Sequence, residues 1–330
     1  MKRWMHWTTF SLILLFVFSV STTPTVAQTV DAPEKPKVKK QQDGERKTRK
    51  KKKANDEFKK FMRIRRNGKR KPVAMETSVT RFIGENENGE KVIVDLIGVV
   101  HIGEKSYYEQ LNEEFEKYDG LLYELVAPEG TVIPKGGRKA AEETGGSMNP
   151  IAAMQVGMQS ALGLEFQLDH IDYTKGNFIH ADMSPEEFAE SMKNNDESVF
   201  KIMLKAMGQS MSRPSSMSEL DLLGAFFSKN KEAKMRQLFA EQMQDMEGGM
   251  AIFEGKEGST IINHRNTKCM EILRREMNDG KKQMAIFYGA GHLPDMQRIL
   301  TSDFKMKRGG QYWLKAWDLA GKKAKPKAKK

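Results

Sequence analysis

The uneven distribution of charge is the feature that most constrains how this chain can fold. Residues 35–71 contain 19 Lys and Arg against 4 Asp and Glu, and residues 320–330 add six lysines and no acid. Segments with so much like charge and so few apolar residues cannot bury enough surface to offset the entropy lost on ordering. We therefore predict one folded domain at residues 72–319, between a disordered basic tether at residues 28–71 and a disordered Lys-rich tail at residues 320–330.

The predicted domain is acidic although the whole chain is basic. The chain has a formal net charge of +11, but residues 72–319 contain 38 Asp and Glu against 28 Lys and Arg. A nucleic-acid-binding domain is not supported, because such domains gather basic residues on their folded surface. The single Cys269 excludes an intramolecular disulfide, a multi-Cys zinc site and an iron–sulfur cluster. A metal site in this chain must therefore use His, Asp and Glu.

Residues 1–27 have the layout of a secretory signal peptide. Lys2 and Arg3 precede an apolar run at residues 10–20, and Ala27 supplies the small residue at the cleavage point. The apolar run is shorter than the roughly 20 residues that a membrane-spanning helix needs. We therefore expect cleavage rather than a retained anchor, and an exported protein that is periplasmic or secreted.

The basic tether has two interpretations. It is either a solvated spacer or a means of attachment, through residues 35–71, to an anionic surface such as membrane phospholipid or a cell-wall polymer. A short amphipathic basic helix predicted over Asp56–Arg66 favours attachment. The Lys-rich tail has the same two interpretations.

Hydrophobic patterns predict that the domain begins with a hairpin and a βαβ unit. The predicted elements are a strand at Met75–Ile83, a turn at Asn88–Gly89, a strand at Val92–Val100, a helix at Glu104–Tyr118 and a strand at Gly120–Val126. The last two strands are joined by a helix, so we expect them to be parallel and to be buried by that helix.

The C-terminal part repeats this theme. The pattern predicts a helix at Thr260–Asn278, a strand at Gln283–Tyr288, a helix from Leu293 and a final strand at Gln311–Trp317. Between the two parts, residues from about 150 to about 250 are mostly helical and rich in Met, which is typical of an adaptable core or a lid. The predicted fold class is therefore α/β, of the α+β kind.

Two similar tetrapeptides stand where a strand ends and a helix begins. One runs from Gly98 to His101 and the other from Gly289 to His292. Ligands bind at the carboxyl ends of strands in α/β sheets, because side chains and helix N-termini converge there. Glu124 lies in an otherwise apolar strand, where a carboxylate needs a cation or hydrogen-bond donors. We therefore expect the two histidines and the glutamate to meet in one cleft.

Two imidazoles and one carboxylate are a workable ligand set for a divalent metal ion, with positions left open for water or substrate. Such an ion lowers the pKa of bound water and polarises an acyl carbonyl. Manganese, cobalt and zinc are the candidate ions. Arg265 is the candidate for stabilising an oxyanion or fixing a substrate carboxylate. The structural alternative is that the histidines are capping or core residues and that Glu124 forms an ion pair with Arg265.

Four further polar residues form a second, weaker candidate metal cluster. A turn within residues 173–177 would let a hairpin bring them together, although Asp182 also suits the start of a helix. The four residues are His170, Asp172, His180 and Asp182. We expect Cys269 to be a small buried hydrophobe and His264 to be a surface residue. The sequence contains no His-Glu-x-x-His, no phosphate-binding loop and no Gly-x-Ser-x-Gly pattern.

In these residues the chain resembles the TraB/PrgY/GumN family, whose animal relatives include the Tiki proteins. The resemblance extends over residues 74–317, but its specific motifs lie only at the two ends. The matching residues are Gly98–Gly103, Tyr123–Leu125 after Tyr118–Asp119, Arg265–Asn266 and Gly289–Leu293.

The resemblance implies two related βα halves that share one mixed sheet and one cleft. It also implies that His101, Glu124 and His292 form the active-site core, with Arg265 as a further site residue. Tiki-like members are described as metal-dependent proteases, bacterial pheromone-shutdown members are thought to inactivate peptides, and related esterase-like proteins use a similar set without an obvious metal.

These observations together predict an exported, metal-dependent, peptidase-like hydrolase. In this hypothesis His101, Glu124 and His292 hold the ion and its activated water, and a peptide or small acyl compound is the substrate. One alternative is a metal-free acyl or ester hydrolase in which a histidine is the general base. The other is a non-catalytic protein that sequesters peptides through the Met-rich segment.

Overall fold

The computed structural model describes residues 61–136, 159–195, 230–247 and 259–321, together with residues 157, 197, 224, 225, 227 and 228. The predicted signal peptide lies outside these residues, as do most of the tether, most of the Lys-rich tail and part of the Met-rich segment. No helix in the described part of the chain is long and apolar enough to cross a membrane.

The described residues form a mixed sheet of strands with helices on both faces. The strands are β1 (Met62–Arg66), β2 (Pro72–Glu85), β3 (Lys91–Val99), β4 (Ile102–Gly103), β5 (Gly120–Tyr123), β6 (Glu165–Phe166), β7 (Phe178–His180), β8 (Gln283–Gly289) and β9 (Lys307–Asp318). The helices are α1 (Lys105–Phe115), α2 (Gln167–His170), α3 (Pro185–Asn194), α4 (Lys231–Glu247), α5 (Arg265–Asn278) and α6 (Leu293–Ser302). A π-helical turn (Thr260–His264) precedes α5, and a 3₁₀ turn (Ala290–His292) precedes α6.

The main sheet combines antiparallel and parallel pairing. Its strands follow the order β1-β2-β3-β8-β5-β7, and β9 also pairs with β2. The pairs β1/β2, β2/β3 and β2/β9 are antiparallel, whereas β3/β8, β8/β5 and β5/β7 are parallel. The predicted α/β class with a mixed sheet is therefore confirmed, and the two strands of the predicted βαβ unit, β3 and β5, lie on either side of β8.

Strand β8 is the centre of the core because both of its faces are covered. Met284 to Gly289 are all buried, as expected for a parallel strand with helices on both sides. Phe287 packs in the cluster beneath α1, where its ring meets Phe115 edge to face at 4.7 Å. Ile286 and Tyr288 pack on the opposite face, against α5 and α6. This rigid centre carries the second Gly-x-x-His pattern.

The predicted boundary between tether and domain is too late in the chain. Residues 62–66, predicted to belong to the tether and to an amphipathic helix, form strand β1, and Phe61 and Met62 are fully buried. Arg63 and Arg65 both pair with Glu76 of β2, at 2.8 and 2.6 Å, and this carboxylate offsets part of the charge that argued for disorder. At the other end of the domain, β9 extends to Asp318, close to the predicted limit.

Helix α4, the last described helix of the Met-rich segment, is attached to the domain through Arg236. Its guanidinium donates from Nε to the Leu162 carbonyl at 2.6 Å and from Nη2 to the Gly163 carbonyl at 2.7 Å. Its Nη1 donates to Glu104 Oε1 at 3.1 Å. The planar fork of arginine suits such divided donation, so one buried side chain connects α4 to two other segments.

Replacing Arg236 by alanine should lower the free energy of unfolding by about 2–4 kcal/mol, measured by urea denaturation. The carbonyls of Leu162 and Gly163 would lose their charged donor, and Glu104 would keep only Lys315, at 3.5 Å, as a counter-ion. Arg236→Lys should recover less than half of the loss, because an ammonium group does not match the fork geometry. The exposed Lys234→Ala on the same helix should change stability by less than about 0.5 kcal/mol. An equally small effect of Arg236→Ala would contradict this account.

Candidate active site

Parallel pairing brings the predicted side chains to one edge of the sheet. β3 and β8 run side by side with Val99 opposite Gly289, so His101 follows β3 near the point where β8 ends. β5 lies on the other side of β8, and the Glu124 N–H donates to the Phe287 carbonyl at 3.2 Å. β5 ends one residue before Glu124, earlier than predicted. The histidine and glutamate positions therefore leave the sheet together.

The three side chains meet above Gly289. The Gly289 N–H donates to Glu124 Oε2 at 2.6 Å. A Cβ placed on Gly289 would lie 3.2 Å from Glu124 Oε2, 3.7 Å from His101 Nε2 and 3.8 Å from His292 Cδ2. All three groups thus lie within 4 Å of one point, which is the convergence that the sequence predicts. The same distances explain why glycine occupies this position, since a side chain would enter the space between them.

His292 is held as a neutral imidazole with Nε2 facing the glutamate. Its Nδ1 lies 2.7 Å from Asn266 Oδ1, and Asn266 Nδ2 donates to the His292 carbonyl and to Asp295 Oδ2 at 3.2 and 2.9 Å. These two donations fix the amide orientation, so Nδ1–H donates and Nε2 keeps its lone pair. Nε2 lies 3.5 Å from Glu124 Oε1. Burial lowers the pKa of the His292 imidazole to about 4, despite the opposing charge of Glu124.

His101 is oriented in a similar way but is more accessible. Its Nδ1 lies 3.0 Å from Oε1 of Gln167, whose Nε2 donates to the Tyr173 hydroxyl at 2.7 Å. The Gln167 backbone N–H also donates to the His101 carbonyl at 2.9 Å. In this arrangement Nδ1–H donates to the amide and Nε2 faces the site above Gly289. His101 is half-buried, whereas His292 is 3% exposed.

Glu124 is ionised despite its burial. Burial alone would raise the pKa of this carboxyl, but the charge of Arg265 and the hydrogen bond from the Gly289 N–H hold its pKa well below the usual range. Arg265 Nη2 donates to Oε1 at 2.8 Å, while Oε2 accepts from Gly289. Both carboxylate oxygens therefore have a charged or backbone donor.

Asp182 is the site residue whose role the sequence does not reveal. Arg265 donates from Nε to Asp182 Oδ1 at 2.9 Å and from Nη2 to Oδ2 at 2.5 Å. The Arg265 and Asp182 side chains are 5% and 0% exposed. One guanidinium thus lies between two buried carboxylates, and the group Glu124–Arg265–Asp182 carries a net charge of −1. A buried negative charge of this kind is stabilised by any positive charge that arises next to it.

The second predicted cluster does not form, because each of its members has a different partner. His170 Nε2 lies 3.4 Å from Glu165, and His180 Nε2 donates to the Leu125 carbonyl at 2.6 Å. Asp172 pairs with Lys135 at 3.1 Å, and Asp182 belongs to the site above Gly289. The hairpin prediction for a metal site at these four residues is therefore wrong. Cys269 is fully buried, as predicted, and burial raises the pKa of its thiol.

The donor chemistry of the site suits a divalent ion. Neutral imidazole Nε2 atoms and a carboxylate are common ligands, and metal-binding histidines usually donate their other N–H to a fixed acceptor, as both do here. Any ion would have to share Glu124 with Arg265, because the guanidinium already occupies Oε1. As placed, no three His, Cys, Asp or Glu side chains in the described ranges form a metal-binding group.

The chain was compared with family models, with curated proteins and with solved structures, and nothing matched. Functional assignment therefore depends on the geometry above Gly289 and on the motif resemblance to the TraB/PrgY/GumN family.

Acid should destabilise the protein in two separate pH ranges. The folded-state pKa of His292 is lower than its unfolded value of about 6.5, so the unfolded state binds more protons between pH 6.5 and 4. Stability should therefore fall by up to about 3 kcal/mol as pH drops through this range. The contribution of Glu124, whose pKa is also depressed, is present above pH 4.5 and is lost only below it.

Urea denaturation at several pH values measures this dependence, and His292→Gln should flatten the slope between pH 6.5 and 4 while leaving the steeper loss below pH 4.5. A slope in the variant as steep as that of the wild type would show that the buried imidazole is not its source.

Proposed function

We propose that this protein is a hydrolase that cleaves an acyl bond, an amide or an ester, by activating water at His101, Glu124 and His292. The observation that carries the proposal is the meeting of the three groups above Gly289, next to a buried group with a net charge of −1. The motif resemblance to the TraB/PrgY/GumN family supports the same active-site core. A peptide or a small acyl compound is the proposed substrate class.

His101 is the proposed general base. It is the more accessible of the two imidazoles, and its Nε2 faces the site while Gln167 holds Nδ1. A proton taken from water by Nε2 makes an imidazolium, which the net negative charge of Glu124, Arg265 and Asp182 stabilises. His292, with a pKa near 4, remains neutral at pH 7 and positions the water through Nε2.

Arg265 is a positioning residue in this proposal. It is 4% exposed, and its Nε and Nη2 are engaged by the two carboxylates. Its remaining nitrogen, Nη1, points at the Ile261 carbonyl at 3.5 Å. These contacts support a role in orienting Glu124, in place of the expected direct contact with an oxyanion.

A metal-dependent form of the same hydrolase is the second candidate. The observation that favours it is the fixing of both Nδ1 atoms by amide oxygens, which leaves two Nε2 lone pairs and Glu124 as ligands. Manganese, cobalt or zinc would be held by His101, Glu124 and His292. When bound, such an ion lowers the pKa of water and polarises an acyl carbonyl.

Replacing His101 with alanine should lower kcat/KM for a cleaved peptide or ester by about 10²-fold or more, because the general base is lost. Glu124→Gln should have a comparable effect, whereas His170→Ala, which removes a half-buried imidazole outside the site, should stay within a few-fold of the wild type. Product formation from a peptide and ester panel, followed by mass spectrometry, is the measurement. Stoichiometric binding with intact peptide recovered would instead identify a peptide-sequestering protein.

Chelation separates the two mechanisms. Activity that survives exhaustive dialysis against a chelator, with no metal by elemental analysis, would support the general-base form. Activity that is lost and then restored by manganese, cobalt or zinc, together with metal content that falls in His101→Ala, would support the metal-dependent form.

We also propose that the protein is exported and that its basic segments attach it to an anionic membrane surface. Within the described part of the tether, Arg66 at the end of β1 and residues 69–71 of the loop between β1 and β2 are exposed. The Leu319 N–H donates to the Val73 carbonyl at 3.1 Å, so the Lys-rich tail leaves the domain beside this loop. The first described residues of the tail are thus adjacent to the exposed basic residues of this loop, at one end of the sheet.

The full chain should sediment with phosphatidylcholine vesicles only when they contain phosphatidylglycerol, and raising the salt from about 0.1 M to about 1 M should release it. Lys69→Gln with Arg70→Gln should weaken binding by about 1 kcal/mol per residue. Lys105→Gln at the start of α1 with Lys117→Gln just after its end, an equal charge change, should have a smaller effect. Equal effects of the two pairs, or binding only to isolated cell-wall polymer, would contradict attachment to a membrane through this end.

A further inference from the structure

The residue that orients Glu124 lies immediately after an unusual turn. Residues 260–264 form a π-helical turn, in which the His264 N–H donates to the Ser259 carbonyl five residues earlier at 3.2 Å. α5 then begins at Arg265. π turns are rare and occur often at functional sites. Each residue in an α-helix advances the chain by about 100° around the axis, so the wider turn sets the direction in which Arg265 leaves α5.

The π turn is held by side chains from the end of α3. Ser191 Oγ lies 2.9 Å from Thr260 Oγ1 and 2.8 Å from His264 Nδ1. Asn195 Nδ2 donates to Thr260 Oγ1 at 3.0 Å and lies 3.2 Å from His264 Nδ1. The Thr260 N–H also donates to Glu197 Oε2 at 3.0 Å. His264 is therefore a partly buried member of a polar cluster, and the expectation that it is a surface residue is wrong.

The segment that leads into α3 supplies the second contact that holds Arg265. Asp182, which binds Arg265 with both oxygens, stands just before α3, whose N-terminus is fixed by reciprocal hydrogen bonds between Ser184 and Glu187. Glu187 in turn pairs with Lys268 of α5 at 2.8 Å. α3 thus lies between two supports of Arg265. Asp182, just before α3, holds the guanidinium, and the cluster at the C-terminal end of α3 holds the turn before α5.

We infer that Ser191, Asn195, Thr260 and His264 form a positioning cluster that fixes the π turn and thereby keeps Arg265 in contact with Glu124. The four side chains are remote from the reacting groups, and they act through the backbone of the turn and through Arg265. The inference depends on the proposed function only for its effect on turnover, because the position of Arg265 can be measured separately.

A matched pair of substitutions at Thr260 tests the cluster. Thr260 is fully buried, and Thr260→Val keeps its shape but removes the hydroxyl that both Ser191 and Asn195 contact, whereas Thr260→Ser keeps the hydroxyl. The first measurement is the solvent exchange of the Arg265 Nε–H, which the ion pair with Asp182 protects, by ¹⁵N–¹H NMR of the full chain. We expect exchange about tenfold or more faster in Thr260→Val and close to wild type in Thr260→Ser.

A control of similar stability excludes a general loosening of the fold. Asn177→Ala removes two side-chain hydrogen bonds, to the carbonyls of Phe115 and Tyr118, at the opposite end of β7. Its Arg265 Nε–H should exchange as in the wild type after correction for the free energy of unfolding. If Thr260→Val does not fold, Ser191→Ala serves as the second variant. Wild-type exchange in a folded cluster variant, or equal acceleration in Asn177→Ala, would overturn the inference.

Turnover provides the independent second readout. With a substrate found for the wild type, Thr260→Val should lower kcat by about tenfold to a hundredfold with little change in KM, because a misplaced Arg265 misorients Glu124. If Arg265 becomes mobile but no hydrolysis is found in any variant or in the wild type, the cluster positions the arginine and the proposed function fails. If turnover falls while Arg265 stays protected, the function stands and the positioning inference fails.

Discussion

The buried guanidinium of Arg265 is the interaction on which the rest of the site depends. Glu124 stands at the end of an apolar strand, and an isolated carboxylate buried there would carry a desolvation cost of several kcal/mol. Arg265, at the start of α5, offsets that cost by pairing with Glu124. Asp182 in turn offsets the cost of burying the arginine. Only arginine presents enough donors in one plane to hold two carboxylates at once. The ends of β5, β7 and the start of α5 are therefore connected by charge as well as by packing.

The glycines of the two Gly-x-x-His patterns serve the same geometry from the backbone side. A Cβ on Gly98 would lie 3.2 Å from the Leu293 side chain and 3.6 Å from the Phe61 carbonyl, so glycine permits close packing of β3 against the start of α6. Gly289 instead leaves room for the side chains of His101, Glu124 and His292 and donates its N–H to Glu124. In both patterns the glycine permits a close approach, and the histidine three residues later follows the turn that this approach allows.

The hydrophobic pattern was enough to predict the central strands, because burial on both faces produces continuous apolar runs. It was also enough to predict that the two histidines and Glu124 converge, because parallel strands share a carboxyl edge. It was not sufficient for β1, since Arg63 and Arg65 share a counter-ion, Glu76, that lies more than ten residues away in sequence. Asn266 and Gln167, which set the imidazole orientations, are amides without a distinctive spacing. Asp182 and Arg265 are 83 positions apart, and no periodicity connects them. Contacts between polar residues that are distant in sequence therefore could not be predicted from the sequence, whereas elements that follow from hydrophobic periodicity could.

The sign of the buried charge narrows the chemistry that the site can support. Arg265 is fully compensated by two carboxylates, so it contributes little net attraction to a developing oxyanion. The surplus negative charge instead favours a step in which positive charge appears at the imidazoles, either as a proton on His101 or as a bound cation. Both routes require Glu124 to stay ionised while buried, and this is what its paired donors achieve. In the proposed hydrolase, this arrangement is therefore suited to the activation of water, and stabilisation of the oxyanion must come from donors other than Arg265.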